Sequence, residues 1–212
     1  MDAMAEWGAL NFGPGNGKAV AALFADAAAA FERLYYFGDV WTGPKRWNFL
    51  TLDGRRVRNE YFNRWWFNWH QLYLGGAAND LAQAEKAVRE RVLPNLRSLP
   101  AAVRRLHEGA ALFHEIPARF AATVKKRREH EEEYVAMLHH LQAADAFASL
   151  CALYVEAQLR FFSGKYTRAG MLSLCRKLHD AKLRYDKMEG VYVTQILEMF
   201  LDHVLRTIAP RQ

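Results

Sequence analysis

Histidines next to acidic residues are the first features of this chain that could do chemistry, because imidazole and carboxylate groups bind metals and transfer protons. The 212-residue sequence contains eight histidines, and the pairs His107-Glu108 and His114-Glu115 lie seven residues apart. On a helix this spacing places both imidazoles on one face but about 10 Å apart, too far to share one ion. The sequence also lacks an HExxH motif. We therefore predict no metal site and interpret these histidines as surface or boundary residues.

Motifs that would bind a nucleotide or activate a nucleophile are incomplete in this sequence. Residues 11–18, NFGPGNGK, predict a loop because three glycines and a proline interrupt them. They do not form a phosphate-binding loop, because Phe12 stands where that motif requires its first glycine and Ala19 where it requires serine or threonine. Cys151 and Cys175 are the only cysteines and fall on different predicted helices, which favours buried thiols in a reducing intracellular compartment. The sequence predicts no catalytic residue, no metal and no cofactor, and an enzyme is the minority interpretation.

Arg64 and His70 carry a resemblance to a known enzyme family. Five residues separate Arg64 from His70. This spacing resembles the active-site motif of the HEPN ribonucleases, which are small, basic, helical domains. The resemblance implies RNA cleavage by Arg64 and His70. Trp65 stands where that family normally has a polar residue, and six helical steps rotate by about 240°, so the two side chains do not share a face. We keep this function as an alternative.

Aromatic residues are concentrated in the first third of the chain. The stretch between Phe31 and Tyr73 holds 14 of the 28 aromatic residues, and each ring can bury on the order of 150 to 250 Å². Residues 55–74, RRVRNEYFNRWWFNWHQLYL, predict a helix with aromatic side chains on most of its sides. So many rings exceed what one small core needs, so we expect this helix to be central in the fold or shared with a partner.

A long aromatic and basic loop is predicted before that helix, over residues 38–54, GDVWTGPKRWNFLTLDG. Loops of this length in compact domains usually have a function. We interpret it as an arm that contacts a neighbouring subunit, and stacking on single-stranded nucleic acid is the alternative. The predicted partner-binding residues of the loop and helix are Trp41, Lys45, Arg46, Trp47, Phe49, Arg58, Phe62, Trp65, Trp66 and Trp69.

Capping residues and helix breakers divide much of the remaining chain into helices. Asn16 is predicted to cap a helix that runs to about Phe37, and Ser98 to cap one that ends before Pro117. The charged run 125–133, KKRREHEEE, is interpreted as a solvated face of one long helix, and a junction of two helices is the alternative.

A hairpin of two helices is predicted around residues 163–174, SGKYTRAGMLSL. Gly164, Tyr166 and Ala169 resemble the turn of a tetratricopeptide or pentatricopeptide helical pair. The resemblance covers one unit of about 34 residues, and the sequence has no second copy at that period. The resemblance implies antiparallel packing of the two flanking helices. A last helix follows Gly190 and has a strong apolar stripe.

These patterns predict an all-α protein, an irregular bundle of about seven helices with antiparallel hairpins and a long aromatic-rich loop. We expect one helical domain over residues 1–212, with two lobes, 1–116 and 117–212, as the alternative. Apolar runs are interrupted by charge well before about 18 residues, so no transmembrane helix is predicted. Residues 1–17 contain no lysine or arginine, unlike a secretory signal or a basic transit peptide.

The net charge of +6 and the pI near 9.4 favour acidic partners. We expect a non-catalytic interaction or scaffold subunit of a large multi-protein assembly, with other protein subunits as partners. An accessory subunit of a mitochondrial energy-transducing complex, peripheral to the membrane, is one assembly of this kind. The alternative is a basic nucleic-acid-binding or HEPN-like ribonuclease module of a defence system, using Arg46, Arg55, Arg56, Arg58, Lys125, Lys126, Arg127 and Arg128.

Overall fold

The computed structural model describes residues 2–37, 40–41, 85, 88–189 and 194–209. Its α-helices are α1 (Ala3–Phe12), α2 (Gly17–Tyr35), α3 (Leu99–Thr123), α4 (Glu131–Ser163), α5 (Arg168–Glu189) and α6 (Thr194–Ile208). Single 3-10 turns over Pro14–Asn16, Leu93–Asn95 and Arg128–His130, and a π-helical turn over Val88–Val92, lie between them. In the described ranges, β structure is limited to a two-residue antiparallel pairing of β1 (Tyr36–Phe37) with β2 (Val40–Trp41). The all-α bundle is confirmed, and the predicted aromatic loop lies outside the described residues except at residues 40–41.

α1 and α2 cross at glycine residues. The sequence predicted a loop over residues 11–18, but α1 extends to Phe12 and only Gly13 and one 3-10 turn separate it from α2. A β-carbon on Gly17 would lie 2.3 Å from the carbonyl oxygen of Ala5, and one on Gly8 would lie 2.8 Å from the β-carbon of Val20. The two helices can therefore approach this closely only because these positions have no side chain.

Asn16 joins this helical corner to a distant part of the chain. It directly precedes α2, as predicted, but its buried side chain bonds to Lys125 and Phe12. The Lys125 N–H donates to Oδ1 at 2.9 Å, and Nδ2 donates to the Lys125 carbonyl at 2.9 Å and to the Phe12 carbonyl. The Asn16 side-chain amide thus bonds both the N–H and the carbonyl of Lys125 in the α3–α4 loop, as a residue of a neighbouring β-strand would.

Substitution of Asn16 by alanine tests this connection. The change removes a buried side-chain amide and leaves the Lys125 N–H and two carbonyl groups without their partner, so we expect the free energy of unfolding to fall by about 3 kcal/mol. Asn11→Ala is the matched control, because it removes a single bond from Nδ2 to the Trp7 carbonyl within α1. Urea titrations that give both variants the same midpoint would contradict the proposed role of Asn16.

α3 begins as predicted but continues past its expected end. Ser98 caps it by accepting a bond from the Ala101 N–H at 3.4 Å. The prediction that the helix ends before Pro117 is wrong, because Pro117 lies inside a helix of 25 residues. Proline removes one backbone hydrogen bond from a helix interior. The buried side chains of Ile116 and Phe120 on either side offset that loss by keeping both halves of the helix in the core.

The charged run separates α3 from α4, so the alternative of a junction between two helices is confirmed. Val124 leaves the helical conformation with φ −86° and ψ 112°, and residues 125–129 are exposed. Lys126 forms an ion pair with Glu131 at 2.6 Å. The carboxylates of residues 131–133 occupy the first turn of α4, where they complement the helix dipole.

α4 and α5 form the predicted antiparallel hairpin. Gly164 ends α4 with φ 69°, in the left-handed region that glycine adopts readily, and its N–H donates to the Phe161 carbonyl at 3.1 Å. The Phe161 and Tyr166 rings are 5.8 Å apart near the turn, and the Phe147 and Tyr185 rings are 5.5 Å apart farther along the helices.

The core is built around α4, in which 17 of 33 residues are buried. One hydrophobic cluster contains residues of all six α-helices together with Val88 and Val92. Aromatic clusters extend through it, for example where Phe120 contacts Phe12 and Tyr134. Both cysteines are buried, and burial raises the pKa of each thiol, which makes the thiolate form unfavourable.

α6 is joined to α5 through a buried cation. The Lys182 side chain is 5% exposed, and its Nζ lies 3.0 Å from both Asp186 Oδ2 in α5 and Glu198 Oε1 in α6. Leu197, Phe200 and Val204 of α6 are buried in the core. Across the described ranges, none of the helices has an apolar stretch long enough to span a bilayer.

Candidate functional site

Exposed apolar side chains cluster on α1. Met4, Trp7 and Leu10 are 41%, 38% and 77% exposed, and they make up three of the eight large hydrophobic residues that are exposed in the described chain. The helix is apolar on most of its sides but buries only Gly8 and Phe12. A ten-residue helix at the edge of a bundle can bury one face only, so its other apolar face remains at the surface.

Trp7 also contacts the next helix. The Trp7 ring packs against the Phe24 ring of α2 edge to face, at 5.5 Å. We define the N-terminal apolar surface as the exposed side chains Met4, Trp7 and Leu10 of α1.

A groove lies beside the α4–α5 turn, at the other end of α4. It has a volume of about 800 Å³ and is bordered by α3 at His107, by the last turns of α4 and by the first turns of α5. We call it the hairpin groove. Its charged and ionisable lining residues are His107, Glu156, Arg160, Lys165 and Lys177, and its apolar wall includes Leu153, Tyr166 and Leu174.

Glu156 is the carboxylate of this groove, and two partners already bond it. His107 Nε2 lies 2.6 Å from Oε2, and Arg160 Nε donates to Oε1 at 2.6 Å. Burial alone would raise the pKa of Glu156, but the hydrogen bonds and charges of His107 and Arg160 outweigh it and lower that pKa below 4.5. The Glu156 carboxylate therefore stabilises the fold fully at pH values above its ordinary pKa. This stabilisation is lost as the pH falls through the lowered pKa.

The two lysines of the groove have no such partner. Among the described residues, no acidic side chain lies within ion-pair distance of Lys165 or Lys177, and both lysines are exposed. α5 begins at the groove, where Thr167 Oγ1 accepts a bond from the Gly170 N–H at 3.1 Å. The positive end of the α5 dipole adds to the charge of Lys165, which lies just before the helix.

A second histidine on α3 is held in the same way. His114 Nδ1 lies 3.1 Å from both oxygens of Asp145, and Arg184 of α5 donates to Asp145 Oδ2. Asp145 is buried and His114 is 67% exposed. His107 and His114, seven residues apart on α3, thus each contact a carboxylate of α4. The prediction that both histidines lie at the surface or boundary is confirmed. In the described part of the chain, no three His, Cys, Asp or Glu side chains are close enough to hold a metal ion.

The sequence-predicted binding residues lie mostly outside the described ranges. Nine of the ten partner-binding residues do so, as do Arg64 and His70 of the HEPN-like motif, and Trp41 is described only as the β2 residue that pairs with Tyr36. The basic residues 125–128 lie at the N-terminal end of α4, about 33 to 44 Å of helix away from the α4 residues that line the hairpin groove. The structure therefore does not join these two basic regions.

Neither of these surfaces is predicted by the sequence patterns. The only signals for the hairpin groove were Lys165 beside Gly164 in the predicted turn and Lys177 about three helical turns later. For the N-terminal apolar surface, the signal was the apolar content of residues 3–12. No protein-family model, curated protein or solved structure matches this chain.

Proposed function

We propose that this protein is a non-catalytic, helical interaction subunit of a multi-protein assembly, and that the N-terminal apolar surface is one of its contacts. The observation that supports this proposal is the exposure of Met4, Trp7 and Leu10 on one short helix. Clustered apolar surface is uncommon on monomeric proteins and is typical of binding surfaces. The partner that fits best is an amphipathic helix of another protein, because the apolar face of such a helix can bury these three side chains.

The aromatic composition of residues 31–73 is the second line of support. Tryptophan, tyrosine and arginine dominate the binding energy at protein interfaces, and the predicted partner-binding residues 41–69 are rich in these types. Their contacts stay a prediction, since residues 42–84 lie outside the described ranges. The kind of assembly, including a mitochondrial energy-transducing complex, also stays a prediction.

Met4→Lys combined with Leu10→Lys is expected to release the partner. Charges at these two positions would be buried without a counter-ion in the complex, so we expect the affinity to fall at least tenfold. The measurement is the mass of the tagged protein isolated from its native source, compared with 24.4 kDa for the chain alone. Wild-type particles should be heavier than this, and those of the double variant should be close to it.

Leu205→Lys is the matched control, because Leu205 is 44% exposed but lies on α6. It should leave the particle intact. A wild-type chain that is monomeric in its native source would contradict the proposal. Retention of the partner by the double variant would contradict the location of the surface, and a purified chain that dimerises through it would show a second copy as the occupant.

Nucleic-acid binding is the second candidate function. Lys165 and Lys177, which line a concave surface and have no acidic partner among the described residues, favour it. Binding to phosphates should weaken by about 0.7 to 0.9 log units per neutralised phosphate for each tenfold rise in salt. Fluorescence anisotropy with single-stranded RNA and DNA measures that slope. Binding that does not change with salt would exclude this function.

A further inference from the structure

We propose that the hairpin groove is a binding site for a small organic phosphate. Arg160, Lys165 and Lys177 would provide positive charge for the phosphoryl group, and the apolar wall would contact the organic part. The site lies at the opposite end of α4 from residues 124–130 and the α1–α2 corner that Asn16 joins to them, so this proposal is independent of the interaction function proposed above.

The described residues give the groove a positive charge. Three of their cationic side chains line it against one carboxylate, and Glu156 is already bonded to His107 and Arg160. Lys165 and Lys177 therefore remain as two positive charges that no acidic residue of the described chain balances. Positive charge that lines a concave surface attracts anions, and a phosphate dianion is an anion of this kind.

The second step is the geometry of the donors. Arg160 uses Nε toward Glu156, which fixes the plane of its guanidinium at the groove wall. Lysine ammonium groups act as point charges for phosphate, whereas arginine offers a planar fork. The α5 N-terminus lies between the lysines in sequence and contributes Thr167, Gly170 and Ser173 to the lining. Backbone N–H groups at such a terminus favour anions.

The third step is the size and apolar content of the groove. About 800 Å³ is larger than an inorganic ion needs and lies within the range of sites for organic ligands. Leu153, Tyr166 and Leu174 provide an apolar wall beside the cations. The Tyr166 ring is held in place by stacking on Phe161 at 5.8 Å. A phosphate attached to an apolar or aromatic group matches both halves of the site.

The test is calorimetric titration of the full chain with adenosine monophosphate, with adenosine and acetate as ligands that lack the phosphate. We expect binding of the monophosphate only. Lys165→Gln together with Lys177→Gln should weaken it about a hundredfold, or about tenfold for each lysine. Lys187→Gln is the matched control, because Lys187 is an exposed residue of α5 about 15 Å of helix beyond Lys177, and it should bind like the wild type.

A second arm identifies the source of the phosphate. Phosphatidylcholine vesicles with and without phosphatidic acid are sedimented with the protein. Lysine-dependent binding to the phosphatidic acid vesicles would identify a lipid headgroup, and binding of the monophosphate alone would identify a soluble ligand. Either result supports phosphate recognition. Lysine-dependent binding to an RNA oligonucleotide but to neither phosphate probe would overturn the proposal.

A third measurement uses only the wild-type chain, in case the double variant does not fold. Acetic anhydride modifies accessible lysines, and peptide masses report the extent at each position. Adenosine monophosphate should protect Lys165 and Lys177 at least threefold and leave Lys187 unchanged. Equal modification with and without the ligand, or protection of all three lysines alike, would overturn the site.

Discussion

Lys182→Ala is expected to lower the free energy of unfolding by about 3 kcal/mol, because removing one partner of a buried ion pair leaves an uncompensated charge. Lys182 bonds Asp186 and Glu198 at once, and the Asp186 carboxylate is only 21% exposed. Glu198 is 56% exposed, so water screens its share of the interaction. Most of the loss should therefore come from Asp186.

Alkaline pH should reproduce part of this loss in the wild type. Burial of Lys182 disfavours its charge, but the hydrogen bonds and charges of Asp186 and Glu198 outweigh burial and raise its pKa above 10.5. Because folding raises this pKa, the stabilisation is complete below the ordinary lysine pKa. It is lost as the pH rises through the raised value.

Two controls separate the charge from the packing. Lys182→Met keeps most of the side-chain volume and should still destabilise the fold, whereas Lys182→Met with Asp186→Leu removes both charges and should recover much of the loss. Urea unfolding at pH 7 and above pH 10.5 measures each variant. Tyrosine ionisation at high pH destabilises the wild type and Lys182→Met alike, so only an additional loss of stability in the wild type reports Lys182. An equal loss of stability in the two proteins would contradict the role of Lys182.

Gly17→Ala is expected to destabilise the α1–α2 corner by about 3 kcal/mol, the upper end of the usual cost of overpacking. A β-carbon at this position would lie 2.3 Å from the carbonyl oxygen of Ala5 and 3.2 Å from the β-carbon of Ala9. The nearest atom belongs to the backbone of a helix, so it cannot move aside as a side chain could. Alanine is favoured over glycine in a helix by about 1 kcal/mol, and the clash exceeds that gain.

Gly15→Ala is the control for the Gly17 variant. Gly15 lies in the adjoining 3-10 turn, and the nearest atom to a β-carbon there is Arg127 Nη2 at 3.6 Å, an ordinary contact. We expect its stability to stay within about 0.5 kcal/mol of the wild type. Thermal and urea unfolding measure the stability of both variants. If Gly17→Ala proved as stable as Gly15→Ala, the packing at the α1–α2 corner would not depend on Gly17.

Helix class and several helix ends could be predicted because they depend on local physics. Ser98 bonds to its own helix, and Gly164 adopts a left-handed conformation in its own turn. The charged run 125–133 contained the signal for a junction, but its charges suited an exposed helix equally well. Only the connection of Lys125 to Asn16, 109 residues away in sequence, decided between the two interpretations.

The sequence by itself determined that the chain is helical and where several helices begin and end, since capping, glycine and the 3.6-residue period act within a few residues. Tertiary structure alone decided that α3 continues through Pro117, because the buried Ile116 and Phe120 lie on both sides of it. It also decided the charge of each surface. Glu156 and Asp186 are paired, whereas Lys165 and Lys177 are left without acidic partners in the described chain. Such pairings depend on which helices pack together, and local sequence patterns do not specify that.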